Sequence, residues 1–188
     1  MNLLDLVLKI DNVIPEEVCD EFVQFFEDSQ YQKEVNKGGY PNWTNVRLNE
    51  ASPWLDSKVH KMSLTVHHRY AEYLSEYGKY FEVGNNVRYE GTNLKRYEGH
   101  SDDVYSCHAD VSSLNTAERF VAFLYYLNDD FEGGDTVFYP NTVVRPKKGS
   151  VLVFPPYWMF PHEGKPVTEG TKYIMSTYAL WQAEYGQD

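Results

Sequence analysis

The chain has 188 residues, 42% hydrophobic and 24% charged, and a formal net charge of -11. That length suits one domain with a substantial core, and the balance excludes general disorder. The acidity and the lack of any basic block argue against a nucleic-acid partner.

Aromatic residues reach 16%, with 16 tyrosines. This points to a β-rich fold with a tyrosine-lined interior or cleft, or simply to a thick aromatic core. The apolar opening is interrupted by Asp5 and Lys9 and has neither a basic n-region nor a small-residue cleavage site. No signal peptide is therefore read, and no segment approaches a membrane span. Cys19 and Cys107 are too few and too separated for a disulfide framework, which suits a reducing compartment. The expectation is a cytoplasmic protein without a membrane partner.

Leu6 to Val13 alternates loosely and reads as a strand. A helix follows, with Pro15 near its first turn beside Glu16 and Glu17, where the dipole favours anions. Val18, Phe22, Phe25 and Phe26 recur at helical spacing and predict one buried face. Residues 31–53 show little periodicity and read as a loop. A second helix is predicted from Ser52 to Tyr77, with Met62, Val66, Tyr70, Tyr73 and Tyr77 along its apolar side and Gly78 as its stop. After Gly84 the texture changes to short apolar or alternating runs separated by Gly, Asn, Asp and Pro, which reads as a sandwich or barrel. Helices first and strands later make an α+β, mainly β chain.

Within "VYSCHADV", His108 and Asp110 are two positions apart, and strand alternation gives them one face. An ordinary strand histidine beside a surface acid would look the same. His162, in "WMFPHEGKPV" between two predicted strands, is a third candidate ligand. Two imidazoles and one carboxylate favour non-haem Fe(II) with open positions, whereas a structural zinc site fills its coordination with protein ligands. His60, His67 and His68 fall on the second helix and read as surface or packing residues; His100 is in a polar loop. Lys172 opens the last apolar strand. A lysine entering the interior needs an anionic partner, from the protein's own acids or from a dicarboxylate ligand.

The blocks "YEGHSDDVYSCHAD", "RFVAFLYYLNDDFEGGDTVF", "VRPKKGSVLVFPP" and "PHEGKPVTEGTKYIMSTYALW" resemble, in order, the signature blocks of the Fe(II)- and 2-oxoglutarate-dependent dioxygenases. The prolyl 4-hydroxylase branch is the most similar, and "LKIDNVIPEEVCDEFVQFF" is similar to that branch's usual opening. The resemblance implies a double-stranded β-helix (a cupin-like jelly roll) whose N-terminal helices support the larger sheet. It implies a single unit over 1–188, with 1–86 as helical support and 87–181 as the core.

Carried over by position, His108, Asp110 and His162 would be iron ligands. Lys172 would pair with the far carboxylate of 2-oxoglutarate, while Tyr97, Tyr126 and Thr136 would line that pocket. Gly133 and Gly134 would serve a tight turn and a bulge. Halogenating relatives replace the iron carboxylate with a small residue, so Asp110 implies hydroxylation. The implied reaction is procollagen-proline 4-dioxygenase-like. Dioxygen and 2-oxoglutarate are consumed, a proline-containing peptide is hydroxylated, succinate is released, and ascorbate is a candidate reductant. Loops 31–45 and 98–106 are long enough to cover a peptide, and Arg119 and Trp181 are candidates near the cleft. Hydroxylation of a free amino acid or small metabolite, and a non-catalytic metal-binding jelly roll, are the alternatives.

Overall fold

A computed structural model describes residues 2–35, 42–76, 87–101 and 103–181. Its strands are β1 (Leu8–Ile10), β2 (Lys33–Val35), β3 (Trp43–Arg47), β4 (Val87–Tyr89), β5 (Asn93–Glu98), β6 (Tyr105–His108) and β7 (Arg119–Tyr126). They continue with β8 (Glu132–Gly133), β9 (Thr136–Phe138), β10 (Thr142–Val144), β11 (Val151–Phe154), β12 (His162–Gly164), β13 (Val167–Glu169) and β14 (Thr171–Trp181). The larger sheet runs β1-β11-β7-β14-β5-β3-β2, with β4 also on β14, and the smaller runs β10-β9-β12-β6. Their pairings are antiparallel. The two sheets meet through side chains such as Phe138 and Phe154, whose rings sit edge to face at 4.9 Å. This is the expected jelly roll, mainly β with helices on the larger sheet.

The helices form where the sequence places their signals. Helix α1 (Glu16–Asp28) begins after Pro15 with two acids in its first turn and buries Cys19, Phe22 and Phe26. Val18 and Phe25 are only half-buried. A short turn, α2 (Leu48–Ala51), leads into α3 (Pro53–Ser75), where the Ser52 side chain caps Leu55 N–H and Pro53 occupies the first turn. Leu55, Val59, Ser63, Val66, Tyr70 and Leu74 form its buried stripe. The expected ending at Tyr77 and Gly78 lies outside the described residues. No described helix is long and apolar enough to cross a membrane.

Alternation along β7 and β14 decides which side chains meet the helices and which meet the interior. Tyr125 turns outward and its hydroxyl shares a 2.8 Å hydrogen bond with Ser63 Oγ on α3. Tyr173 turns outward against Phe26 on α1, with ring centroids 5.8 Å apart. Their neighbours Tyr126 and Lys172 turn inward and are buried.

The segment read as a loop, 31–53, instead holds β2, β3 and α2. Strand β3 has little alternation of its own. It is extended because it pairs with β5, Thr44 opposite Arg96 and Arg47 opposite Asn93. That long-range pairing leaves no local pattern to read.

Phe26 is fully buried, carries the Tyr173 contact, and has the Arg96 guanidinium 5.4 Å from its ring centre. Phe26→Ala is expected to cost about 3–5 kcal/mol in equilibrium denaturation. A loss below about 1 kcal/mol would show that α1 is not docked through this ring.

Candidate metal centre and its pocket

Strands β6 and β12 are antiparallel neighbours with His108 directly opposite His162. Their imidazole centroids are 4.3 Å apart. Asp110 completes the group: its Oδ1 is 3.3 Å from His108 Nε2 and its Oδ2 is 3.7 Å from His162 Nε2. All three potential ligand atoms fall within 4.8 Å of one another. Two details differ from the sequence reading. Strand β6 ends at His108, so Asp110 reaches the group from the bend that follows and not from a shared strand face. His162, expected between strands, opens β12.

The rings are oriented for metal. His108 Nδ1–H donates to Ser106 O at 2.8 Å, and His162 Nδ1–H donates to Phe160 O at 3.1 Å. A carbonyl can only accept, so in the neutral rings both Nε2 atoms keep their lone pairs. Burial pushes the Asp110 carboxyl up. At the low pH where it titrates and the imidazoles are protonated, the His108 hydrogen bond, the charges of His162 and His108, and the Tyr178 hydroxyl outweigh this and hold it at about 2. Two imidazoles and one ionised carboxylate suit a first-row divalent ion with open positions, and no fourth protein ligand joins them among the described residues.

The other histidines do different work. His67 is buried among Tyr89, Phe120 and Phe123. Its desolvation and the neighbouring His68 lower it to about 4. His60 bonds to Glu90 O and stacks on Tyr89, while His68 and His100 are exposed.

Asp110 is itself held. Tyr178 donates its hydroxyl to Asp110 Oδ1 at 2.8 Å, and Arg119 Nη1 donates to the Asp110 carbonyl at 3.2 Å. Arg119 lies 3.9 Å over the Tyr178 ring and grips Glu90 through both carboxylate oxygens, at 2.6 and 2.7 Å. Trp181 stacks on Phe120 at 3.9 Å, so it packs the outer edge of the sheet. Tyr178 was not singled out from the sequence, although alternation from Lys172 through Ile174 and Ser176 puts it on the inward face.

One pocket contains all three candidate ligands. Lys172, 4% exposed, lines it and donates to the Gly134 carbonyl. Among the described residues it makes no ion pair; burial lowers it to about 8 despite the more distant charge of Asp135. Thr136 and Tyr97 line the same space. Tyr126 stands behind Thr136, its hydroxyl 2.8 Å from Thr136 Oγ1, with Lys172 Nζ 5.6 Å from its ring centre. The buried Ser176 hydroxyl also lines the pocket without a hydrogen-bond partner. An ammonium without an acidic partner and a hydroxyl without a hydrogen bond in one cavity are what a polar anionic ligand would satisfy.

Lys95, also missed in the sequence, lines this pocket from β5, two residues before Tyr97. Near the mouth, Asn42 and Val104 exchange two backbone hydrogen bonds at 3.0 and 3.1 Å and join parts of the two loops expected to cover a substrate. Cys107, next to His108, is exposed.

Gly134 shapes the lysine's seat. Its φ is +67°, and an added Cβ would fall 2.8 Å from the Phe131 ring and 3.2 Å from Lys172 Cδ. Gly134→Ala is expected to lower stability by about 1–2 kcal/mol in urea unfolding. Unchanged stability would show that the turn relaxes without cost.

Comparison with known proteins finds similarity over the segment that holds the site. The model of the 2OG-Fe(II) oxygenase superfamily matches residues 92–180. Procollagen-lysine,2-oxoglutarate 5-dioxygenase 1 of Rattus norvegicus is 28% identical over 188 aligned residues, covering 88% of this chain but 23% of that protein. The chain thus spans about a quarter of the length of this relative. A viral collagen prolyl hydroxylase from Paramecium Bursaria Chlorella virus-1, solved with 2OG, has a TM-score of 0.64 at 20% identity, covering 95% of this chain and 97% of that one. A Trichoplax adhaerens prolyl hydroxylase, solved with a hypoxia inducible factor peptide fragment, has a TM-score of 0.68 at 18% identity, covering 94% and 84%. At these identities the two structures speak for the fold. The segment that carries His108, Asp110, His162 and Lys172 is thus similar to the 2OG-Fe(II) oxygenase superfamily.

Proposed function

We propose that this chain is an Fe(II)- and 2-oxoglutarate-dependent hydroxylase acting on peptidyl proline. One observation carries the reading: a His-Asp-His group within 4.8 Å shares a pocket with a buried lysine that has no acidic partner among the described residues. In this reading His108, Asp110 and His162 hold the iron. Lys172 neutralises the far carboxylate of 2-oxoglutarate, with Tyr97, Tyr126 and Thr136 around it. Bound iron supplies dioxygen activation coupled to decarboxylation of 2-oxoglutarate to succinate.

The chain's own residues set the conditions. Tyr178 and Arg119 fix the Asp110 side chain and backbone. Phe138 and Phe154 pack around His162, with centroids 5.1 and 4.8 Å away, and keep water from one side of the centre. Ascorbate is the reductant we assign, and residues 1–188 act as one unit. Two unpaired cysteines, Cys19 buried and Cys107 exposed, support a cytoplasmic setting.

The relative solved with a peptide fragment supports a peptide substrate. The lysyl hydroxylase relative favours a second reading, peptidyl lysine. Against it stands Lys95: a second cation in the pocket repels a lysine side chain.

The test is a mass-spectrometric screen of proline- and lysine-containing peptides with Fe(II), ascorbate and 2-oxoglutarate. A gain of one oxygen on proline, matched by succinate and absent with His108→Ala, is expected. Oxygen gained only on lysine, or only on free metabolites, would replace the proline reading. Normal turnover by His108→Ala would overturn the ligand assignment.

Lys172 gives a pH dependence. Its ammonium stays charged below its lowered value of about 8 and loses its proton as the pH rises through it. Affinity for 2-oxoglutarate is therefore expected to weaken above about pH 8, and Lys172→Ala to cost about 2–5 kcal/mol of binding. Affinity that is flat over this range and unaltered by Lys172→Ala would make the lysine structural.

A further inference from the structure

Lys95 lines the pocket, and the chemistry above gives it no task. Its partner across the sheet is Ile174, two residues beyond Lys172, so it faces the same interior from the adjacent strand. Its ammonium lies 5.0 Å from the Trp43 ring centre and 5.2 Å from that of Tyr105. Those rings stack on each other at 4.9 Å, and Tyr105 packs against His108 at 3.9 Å. A chain of ring contacts thus ties this cation to a candidate metal ligand.

The ammonium has no ion-pair partner among the described residues. Asp110 and Glu90 reach it only as more distant charges. Asp110 is occupied by the histidines and Tyr178, and Glu90 by Arg119. Lys165, which also lines the pocket, is by contrast paired with Glu163. Burial lowers Lys95 to about 8, which marks a cation that an incoming anion would stabilise. In the hydroxylase reading, 2-oxoglutarate spends one carboxylate on the metal and the other on Lys172. Lys95 is then left over, beside two aromatic faces suited to an apolar body.

We propose that Lys95 recognises a carboxylate on the substrate near the C–H bond to be oxidised, so that the enzyme selects acidic substrates, such as a peptide with Asp or Glu beside the target proline. Trp43 and Tyr105 would flank the apolar part of that residue. The inference rests on the hydroxylase reading and names its substrate class.

The test uses two pairs of blocked proline peptides, with Glu or Gln either before or after the proline. Binding is measured by calorimetry on the protein loaded with Fe(II) and 2-oxoglutarate without oxygen, and oxygen gain is then measured in air. In one pair the Glu peptide is expected to bind at least about tenfold more tightly than its Gln counterpart. That advantage should vanish in Lys95→Met and return in Lys95→Arg. Equal affinity of Glu and Gln peptides, including no binding of either, overturns the inference, as does an advantage that survives Lys95→Met. A tenfold or greater weakening of 2-oxoglutarate itself in Lys95→Met would assign the ammonium to the co-substrate and also overturn it. A Lys95-dependent preference without oxygen gain would instead remove the proline reading and leave the acidic specificity standing.

Discussion

The pairing of β6 with β12 sets His108 opposite His162, and the pocket is arranged around that register. A slip of one residue would turn one histidine away from the other. The smaller sheet guards against it through packing: β12 also pairs with β9, His162 opposite Phe138, and Phe154 reaches His162 from the larger sheet. The apolar contacts that join the sheets therefore also hold a candidate ligand. Asp110 needs separate support because it lies beyond the end of β6. Tyr178 holds its side chain, and Arg119, anchored by Glu90, holds its carbonyl.

Charge gives the pocket its second character. The chain carries a net charge of -11, yet two lysines without ion-pair partners among the described residues face the pocket. Burial of an unpaired ammonium is unfavourable. Its retention is economical if a ligand supplies the missing anion. Lys172 sits deep, with its seat made by Gly134, Tyr126 and Thr136 around it. Lys95 sits beside the Trp43 and Tyr105 rings, and Tyr105 in turn packs against His108. Two cations in two settings suit two anions better than one, and that difference separates a co-substrate subsite from a substrate subsite.

Much of this was legible in the residues. The helical stripes of α1 and α3, the short strands after residue 86, and the H-x-D pair with His162 all carry local patterns that survive into the fold. The rest depends on contacts distant in sequence. Strand β3 is extended because β5 pairs with it, and that pairing brings Trp43 against Lys95 and Tyr105. Asp110 lies beside the two histidines because the bend after β6, and not strand alternation, delivers it. Tyr178 and Lys95 were readable in principle. Each is an even number of residues from a named pocket residue on the same strand, Lys172 and Tyr97, so period-two counting along β14 and β5 reaches them. Their partners, Asp110 for one and Trp43 for the other, are fixed only by the folded sheet.

In the proposed hydroxylase, His108, Asp110 and His162 form one metal centre beside Lys172, which would receive 2-oxoglutarate. An anaerobic titration of the metal-free protein with Fe(II) and then 2-oxoglutarate, followed by visible absorption, tests it most directly. One iron per chain is expected, with a metal-to-ligand charge-transfer band that appears only when both are present and is lost in Asp110→Ala. Absence of the band in the folded protein, or its persistence in Asp110→Ala, would contradict it.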